Sequence, residues 1–157
     1  MTDFRRGVRL GIDVGKARVG VSRCDPDGML AFPVETVPRS DSSVTRIGEL
    51  CAEYEPLEII VGLPVNMKGT DTASTTDARA FAAAILRHTG VSVRLIDERL
   101  STVTAHAALR SSGRTQRNSR SIVDQVAAVV LLQQAIDMEK STGTPAGVAV
   151  SLDEETF

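Results

Sequence analysis

After Pro38 the hydrophobic repeat of this chain changes from two residues to three or four, and no other sequence feature constrains the fold as strongly. Before that point, short runs alternate apolar residues with small or polar ones. Residues 8–14 set Leu10, Ile12 and Val14 on one side and Gly11 and Asp13 on the other. Residues 18–24 repeat the pattern, with Val19 and Val21 on one face and Gly20 and Ser22 opposite. Asp25-Pro26-Asp27-Gly28 is a turn, because proline presets its first corner and glycine accepts positive φ. Residues 29–37 form the third strand. Links this short make an antiparallel meander the economical arrangement.

Beyond Pro38 helices and strands alternate. Residues 40–54 carry Val44, Ile47, Leu50 and Cys51 at helical spacing, behind Asp41 or Ser42 as cap. Residues 57–62 are a short apolar strand, and residues 71–88 an alanine-rich helix closed by Gly90. Residues 91–96 give a fifth strand. Ser101 or Thr102 caps a third helix to about Arg110, residues 111–120 are expected to form a mobile basic loop, and Ser121 caps a final helix over 122–139. The order β-β-β-α-β-α-β-α-α predicts an α/β fold with a five-stranded mixed sheet flanked by helices. Its first three strands are antiparallel, and the fourth and fifth run parallel to the first. One domain is expected over residues 1–140. Residues 141–157, with Gly143, Pro145 and Gly147, are expected to be a disordered tail.

This topology gathers acids. Ligands of open α/β sheets bind at the carboxyl ends of the strands. Asp13 stands at the end of the first strand and Asp97-Glu98 at the end of the fifth. Alternation puts one member of that pair on each side of the sheet and does not choose between them. Asp124 precedes Ala127, Ala128 and Leu131 at i+3, i+4 and i+7 of an apolar helix. Each acid has an ordinary explanation alone: a turn cap, a strand-end surface charge, a partner of the helix dipole. Together they would repel unless a divalent cation held them. Hard carboxylate oxygens suit Mg²⁺ or Mn²⁺, which points to metal-dependent phosphoryl transfer.

Charge placement favours nucleic acid as the substrate. The formal net charge is −2, but residues 141–157 carry three acids and no base, and the balance changes sign without them. From Arg99 through Val123 there are five arginines and no acid. Local positive surface, rather than overall charge, is what a phosphate backbone feels. Arg99, Arg114, Arg117 and Arg120 are therefore candidates to grip a strand. Lys16 and Arg18 are placed to meet phosphates beside Asp13. Asn66 and Lys68, in the loop before the second helix, could cradle another. With one Tyr, four Phe and no Trp, base stacking cannot dominate recognition. No apolar run approaches the roughly 20 residues that cross a bilayer, and no secretory signal is visible. Cys24 and Cys51 lack metal or redox spacing, which suits a reducing cytoplasm.

Gly11-Ile12-Asp13-Val14-Gly15, Gly62-Leu63-Pro64 with Asn66 and Gly69, Asp97-Glu98-Arg99-Leu100-Ser101-Thr102, and Asp124 with Ala127-Ala128 occur in that order. In this the chain resembles the YqgF/RuvX family from Arg9 to about Asp137. The resemblance implies an RNase H-like fold and a nuclease that matures the 5′ end of pre-16S rRNA. Holliday junction resolution on branched DNA is the alternative. It also implies a catalytic, metal-holding set of Asp13, Glu98 and Asp124, so that Glu98 rather than Asp97 is the active member of its pair. Lys68 departs from the aspartate that many relatives carry there. A cytoplasmic monomer or homodimer is expected, with no membrane partner. Two other classes stay in view: an ATP-binding domain of the actin and sugar-kinase type, for which one domain is too short, and a non-catalytic nucleic-acid-binding factor.

Overall fold

Apolar residues at every second position give the first strands two unlike faces, and the fold follows from covering each. The computed structural model describes residues 4–64, 68, 70–97 and 116–152, with 116–124 described by their backbone alone. The strands are β1 (Arg9–Val14), β2 (Arg18–Cys24), β3 (Ala31–Pro38), β4 (Glu58–Leu63), β5 (Val93–Asp97) and β6 (Val148–Ala149). The helices among the described residues are α1 (Ser43–Tyr54), α2 (Ala73–Thr89) and α3 (Gln116–Thr142). The sheet order is β3-β2-β1-β4-β5-β6. β1 pairs antiparallel with β2 and parallel with β4, and β4 pairs parallel with β5.

On one face Leu10, Ile12, Val19, Val21, Ile59 and Val61 pack against Ile47 and Leu50 of α1 and Phe81, Ala82 and Ile85 of α2. The other face is thinner. There Ile60 and Ile96 meet Leu131, Leu132, Ala135 and Ile136 of α3. α3 runs antiparallel to β1, since Glu139 lies against Arg9 at the start of the strand and Ala128 lies over Gly11 farther along it.

The mixed sheet and the meander agree with the sequence reading, and several boundaries differ. The third strand begins at Ala31 rather than 29, because Asp25 Oδ1 accepts from the N–H groups of Met29 and Leu30, both at 2.8 Å, and lengthens the turn. The last helix begins at Gln116, not after Ser121. Residues 116–120 lack apolar periodicity and so resemble a loop, yet no glycine or proline interrupts them and the helix propagates through. Residues 141–152, read from the sequence as the start of a disordered tail, hold the end of α3 and a sixth strand. α3 closes where Gly143 N–H reaches Glu139 O at 2.8 Å, and the chain returns to add β6 antiparallel to β5. The third helix expected before Arg110 lies outside the described residues.

Candidate active site

Asp13 is half-buried near the end of β1, directly opposite Gly20 of β2, which brings no side chain of its own. It shares a sheet face with Gly11, two residues earlier, and that face is the one α3 covers. A Cβ built on Gly11 would lie 2.8 Å from Ala128 O and 2.8 Å from Leu132 Cβ. Strand and helix backbones therefore meet more closely here than any side chain at position 11 would allow. From this contact, two residues of strand advance about 6.6 Å to Asp13. Four residues of helix advance about 6 Å to position 124. Because the elements are antiparallel, both steps lead to the same edge of the sheet.

Asp97 closes β5, opposite Leu63 of β4, and is exposed. Ile96 packs with α3, so Asp97 belongs to the opposite face. Glu98, Arg99, Arg114 and Asn66 lie outside the described residues. Arg117 and Arg120 fall in the first turns of α3, whose first turn carries no acid. Lys68 is an exposed turn residue. Among the described residues, no three His, Cys, Asp or Glu side chains group closely enough to share a metal ion. Of the three proposed ligands, that group includes the side chain of Asp13 alone.

Lys16 projects from the β1–β2 turn, and Arg18 opens β2 opposite Pro38. Sequence reasoning missed what holds this turn. Arg39 N–H donates to Ala17 O at 2.9 Å, and its guanidinium donates to Gly15 O at 2.8 Å. The same group binds both carboxylate oxygens of Asp77 in α2 and sits 4.8 Å above the Phe81 ring. The hydrogen bond from Arg39 holds the Asp77 carboxyl below the ordinary aspartate value despite its partial burial, and the charge of Lys16 adds to this. No local pattern could have found a pair separated by a strand and a helix.

The loop before α2 is tied to that helix as well. Thr72 and Thr75 form a reciprocal capping box, and Thr75 Oγ1 donates to Pro64 O. Gln125 Nε2 of α3 donates to Thr36 Oγ1 of β3 at 2.8 Å, binding the helix to the sheet one residue after position 124. Asp13 thus stands at an edge bounded by two anchored turns and the incoming end of α3. An edge of hard oxygen donors with lysine and arginine beside it can hold a cation and a phosphate together.

A family model described as "RuvX: Holliday junction resolvase" matches residues 7–138. A "Putative pre-16S rRNA nuclease" of Leifsonia xyli subsp. xyli is 54% identical over 146 residues, covering 92% of this chain and 94% of that protein. One of the same description from Streptomyces coelicolor is 48% identical over 152 residues, covering 95% and 91%. The fold is similar to that of T. thermophilus RuvC in complex with Holliday junction substrate, at TM-score 0.55 and 20% identity over 88% of this chain and 99% of that one. The yeast mitochondrial Holliday junction resolvase Ydc2 aligns at TM-score 0.51 and 9% identity, covering 91% and 83%.

Proposed function

This chain belongs to the RuvX family, and from that membership we propose that it is a nuclease hydrolysing phosphodiester bonds in structured nucleic acid. Pre-16S rRNA is its substrate in this reading, because relatives about half identical over nearly their whole length are described as "Putative pre-16S rRNA nuclease", and its 5′ end is the part that the sequence resemblance implies. Processing of precursor rRNA would make it a cytoplasmic protein. Among the described residues no helix is long and apolar enough to cross a membrane.

The observation that carries the active-site reading is the close approach of α3 at Gly11, which supports a meeting of Asp13 and Asp124 at one edge. Ile96 lies on the α3 side of β5, and alternation from it supports Glu98 rather than Asp97 as the third acid. In this reading Asp13, Glu98 and Asp124 hold Mg²⁺ or Mn²⁺. A divalent cation bound there supplies an activated water and neutralises charge on the leaving oxygen. Lys16 and Arg18, on a turn fixed by Arg39, orient the phosphate next to Asp13. Asn66, Lys68, Arg99, Arg114, Arg117 and Arg120 hold the strand on either side.

The family description favours a second reading, cleavage of four-way DNA junctions. Symmetrical cutting of a junction requires two active sites and hence a two-fold dimer, whereas trimming an RNA end requires one. Solution mass and cleavage of a precursor RNA against a junction separate these.

Asp13→Asn tests the site. The substitution keeps the shape and removes the charge, so cleavage of a pre-16S precursor should fall at least about a thousandfold, as when a group indispensable to the chemistry is lost. The rise in unfolding temperature on adding Mn²⁺ should vanish while the fold persists. Cleavage at the parent rate by the folded variant would end the proposal.

A further inference from the structure

Ser22 is wholly buried in β2, and its hydroxyl caps no helix. It donates at 2.7 Å to Ala128 O, a carbonyl in the interior of α3, and lies 3.5 Å from Gly11 O. An interior helical carbonyl already accepts from the N–H four residues on, so this bond is additional. Its effect is geometric rather than a matter of satisfying an orphan group. A Cβ at position 11 would come within 2.4 Å of Ser22 Oγ, as well as meeting Ala128 O and Leu132 Cβ. Ala128 O belongs to the backbone of a 27-residue helix and cannot yield alone.

Apolar packing of Leu131, Leu132 and Ile136 sets how far α3 stands from the sheet but tolerates sliding along its axis. A hydrogen bond to one particular carbonyl does not. Among the described residues Gln125 and Gln133 also tie α3 to the sheet, both at the edge strand β3, and Glu139 ties the far end of the helix to Arg9 at the start of β1. Ser22 is on β2 beside Gly11, at the strand that carries Asp13.

We infer that Ser22 and Gly11 are positioning residues for the metal site: together they set the height and axial register of α3 over β1. They thereby fix how far position 124 of α3 stands from Asp13. Neither residue touches substrate or cation. The inference rests on the site reading given above, and its test must separate the two.

Mn²⁺ titration by calorimetry, thermal unfolding with and without Mn²⁺, and cleavage at increasing Mn²⁺ supply the test. Ser22→Ala leaves Ala128 O with its helical partner, so the fold should persist. Mn²⁺ affinity should fall about 10- to 100-fold, the usual range for losing a group that orients metal ligands. High Mn²⁺ should restore most of the cleavage. Gly11→Ala, which forces the helix outward, should fall further and recover less. Gln133→Ala breaks an α3–sheet bond away from this edge and should keep the parent affinity even where it lowers the unfolding temperature. Asp13→Asn should lose Mn²⁺ binding without recovery. If Asp13→Asn abolishes binding while Ser22→Ala and Gly11→Ala keep the parent affinity, the positioning role is overturned and the site stands. If Asp13→Asn binds Mn²⁺ like the parent, the site reading fails and takes this inference with it.

Discussion

Glu139 is 3% exposed and Arg9 2%, so two opposite charges have left water together at the start of β1. Arg9 Nη2 donates to Glu139 Oε2 at 3.1 Å, and Arg5 binds the same carboxylate through its backbone N–H at 3.0 Å and Nη2 at 2.8 Å. Arg5 also reaches Glu58, and the Phe4 ring lies 4.3 Å from the Arg9 guanidinium. Removing one member of such a set leaves a buried charge uncompensated. Glu139→Gln should therefore cost about 3 kcal/mol in urea denaturation, the low end for a broken buried pair because Arg5 is partly solvated. The same residue gives a pH signature. Burial pushes the Glu139 carboxyl up, but the hydrogen bonds from Arg5 and the nearby Arg9 charge outweigh it and hold the group below its ordinary value. A depressed carboxyl stabilises the fold fully above the unfolded value of 4.5, and this contribution is lost as pH falls through the folded value. Stability in acid should thus decline less steeply in Glu139→Gln than in the parent, measured by unfolding between pH 6 and 3, on the order of the window that a glutamate titration spans. Equal slopes would show that Glu139 is not held as a paired anion. At this scale Asp13 was legible, because an acid ending an apolar strand breaks a local pattern. Arg39 was not, since the carboxylate that explains it lies 38 residues away.

At the scale of elements, the two-residue repeat before Pro38 and the alternation after it specify β1 to β5 and both early helices. Those signals are local, because each element displays its own buried face. β6 escapes such reading. It is two residues long, Val148 is 70% exposed, and its place is decided by partners elsewhere. Arg94 donates to Ala146 O at 2.7 Å and to Gly147 O at 2.8 Å, and Val150 N–H reaches Val93 O at 2.9 Å. Gly147 makes the return possible. Its φ is +76°, and a Cβ there would lie 2.1 Å from Leu95 O. Gly147→Ala should release β6 and cost roughly 1–3 kcal/mol, the range for a residue forced into a strained backbone region. Hydrogen exchange locates the effect: the Val150 amide should lose protection while amides of β1 and β2 keep theirs. Undiminished protection at Val150 would mean that the return strand does not depend on the glycine. The start of α3 escapes for the opposite reason. Residues 116–120 bear no apolar repeat, and their helicity follows from being joined without a break to the buried segment of α3, since propagating a helix is easier than nucleating one.

Across the whole molecule, the buried ion pairs and the proposed site lie at opposite ends of the strands. The buried arginine–glutamate cluster sits where β1 and β4 begin, and Asp13 sits where β1 ends. α3 spans both, anchored by Glu139 near its close and running toward Asp13 at its start. The ion-pair cluster thus holds the fold together from the edge opposite the one where Asp13 stands. Overall charge obscures the arrangement, since a net −2 suggests no attraction to nucleic acid at all. The relevant charge is local: five arginines without an acid between Arg99 and Val123, two of them in the first turns of α3. Helix dipoles disfavour basic residues at that end, so arginines there gain most when an anion arrives. If Arg117 and Arg120 grip phosphates, replacing both by Gln should weaken precursor binding uniformly across sequences. The slope of log affinity against log salt should flatten by about 1 for each phosphate that is no longer neutralised. Turnover at saturating RNA should change little, because neither residue is assigned to the reacting phosphate. Filter binding from low to moderate salt measures the slope, and single-turnover cleavage the rate. An unchanged slope would move the grip on the strand to the turns beside Asp13, where Lys16 and Arg18 stand. A flattened slope with a collapsed rate would instead put one of these arginines at the scissile phosphate, and the incoming end of α3 would then supply charge as well as position.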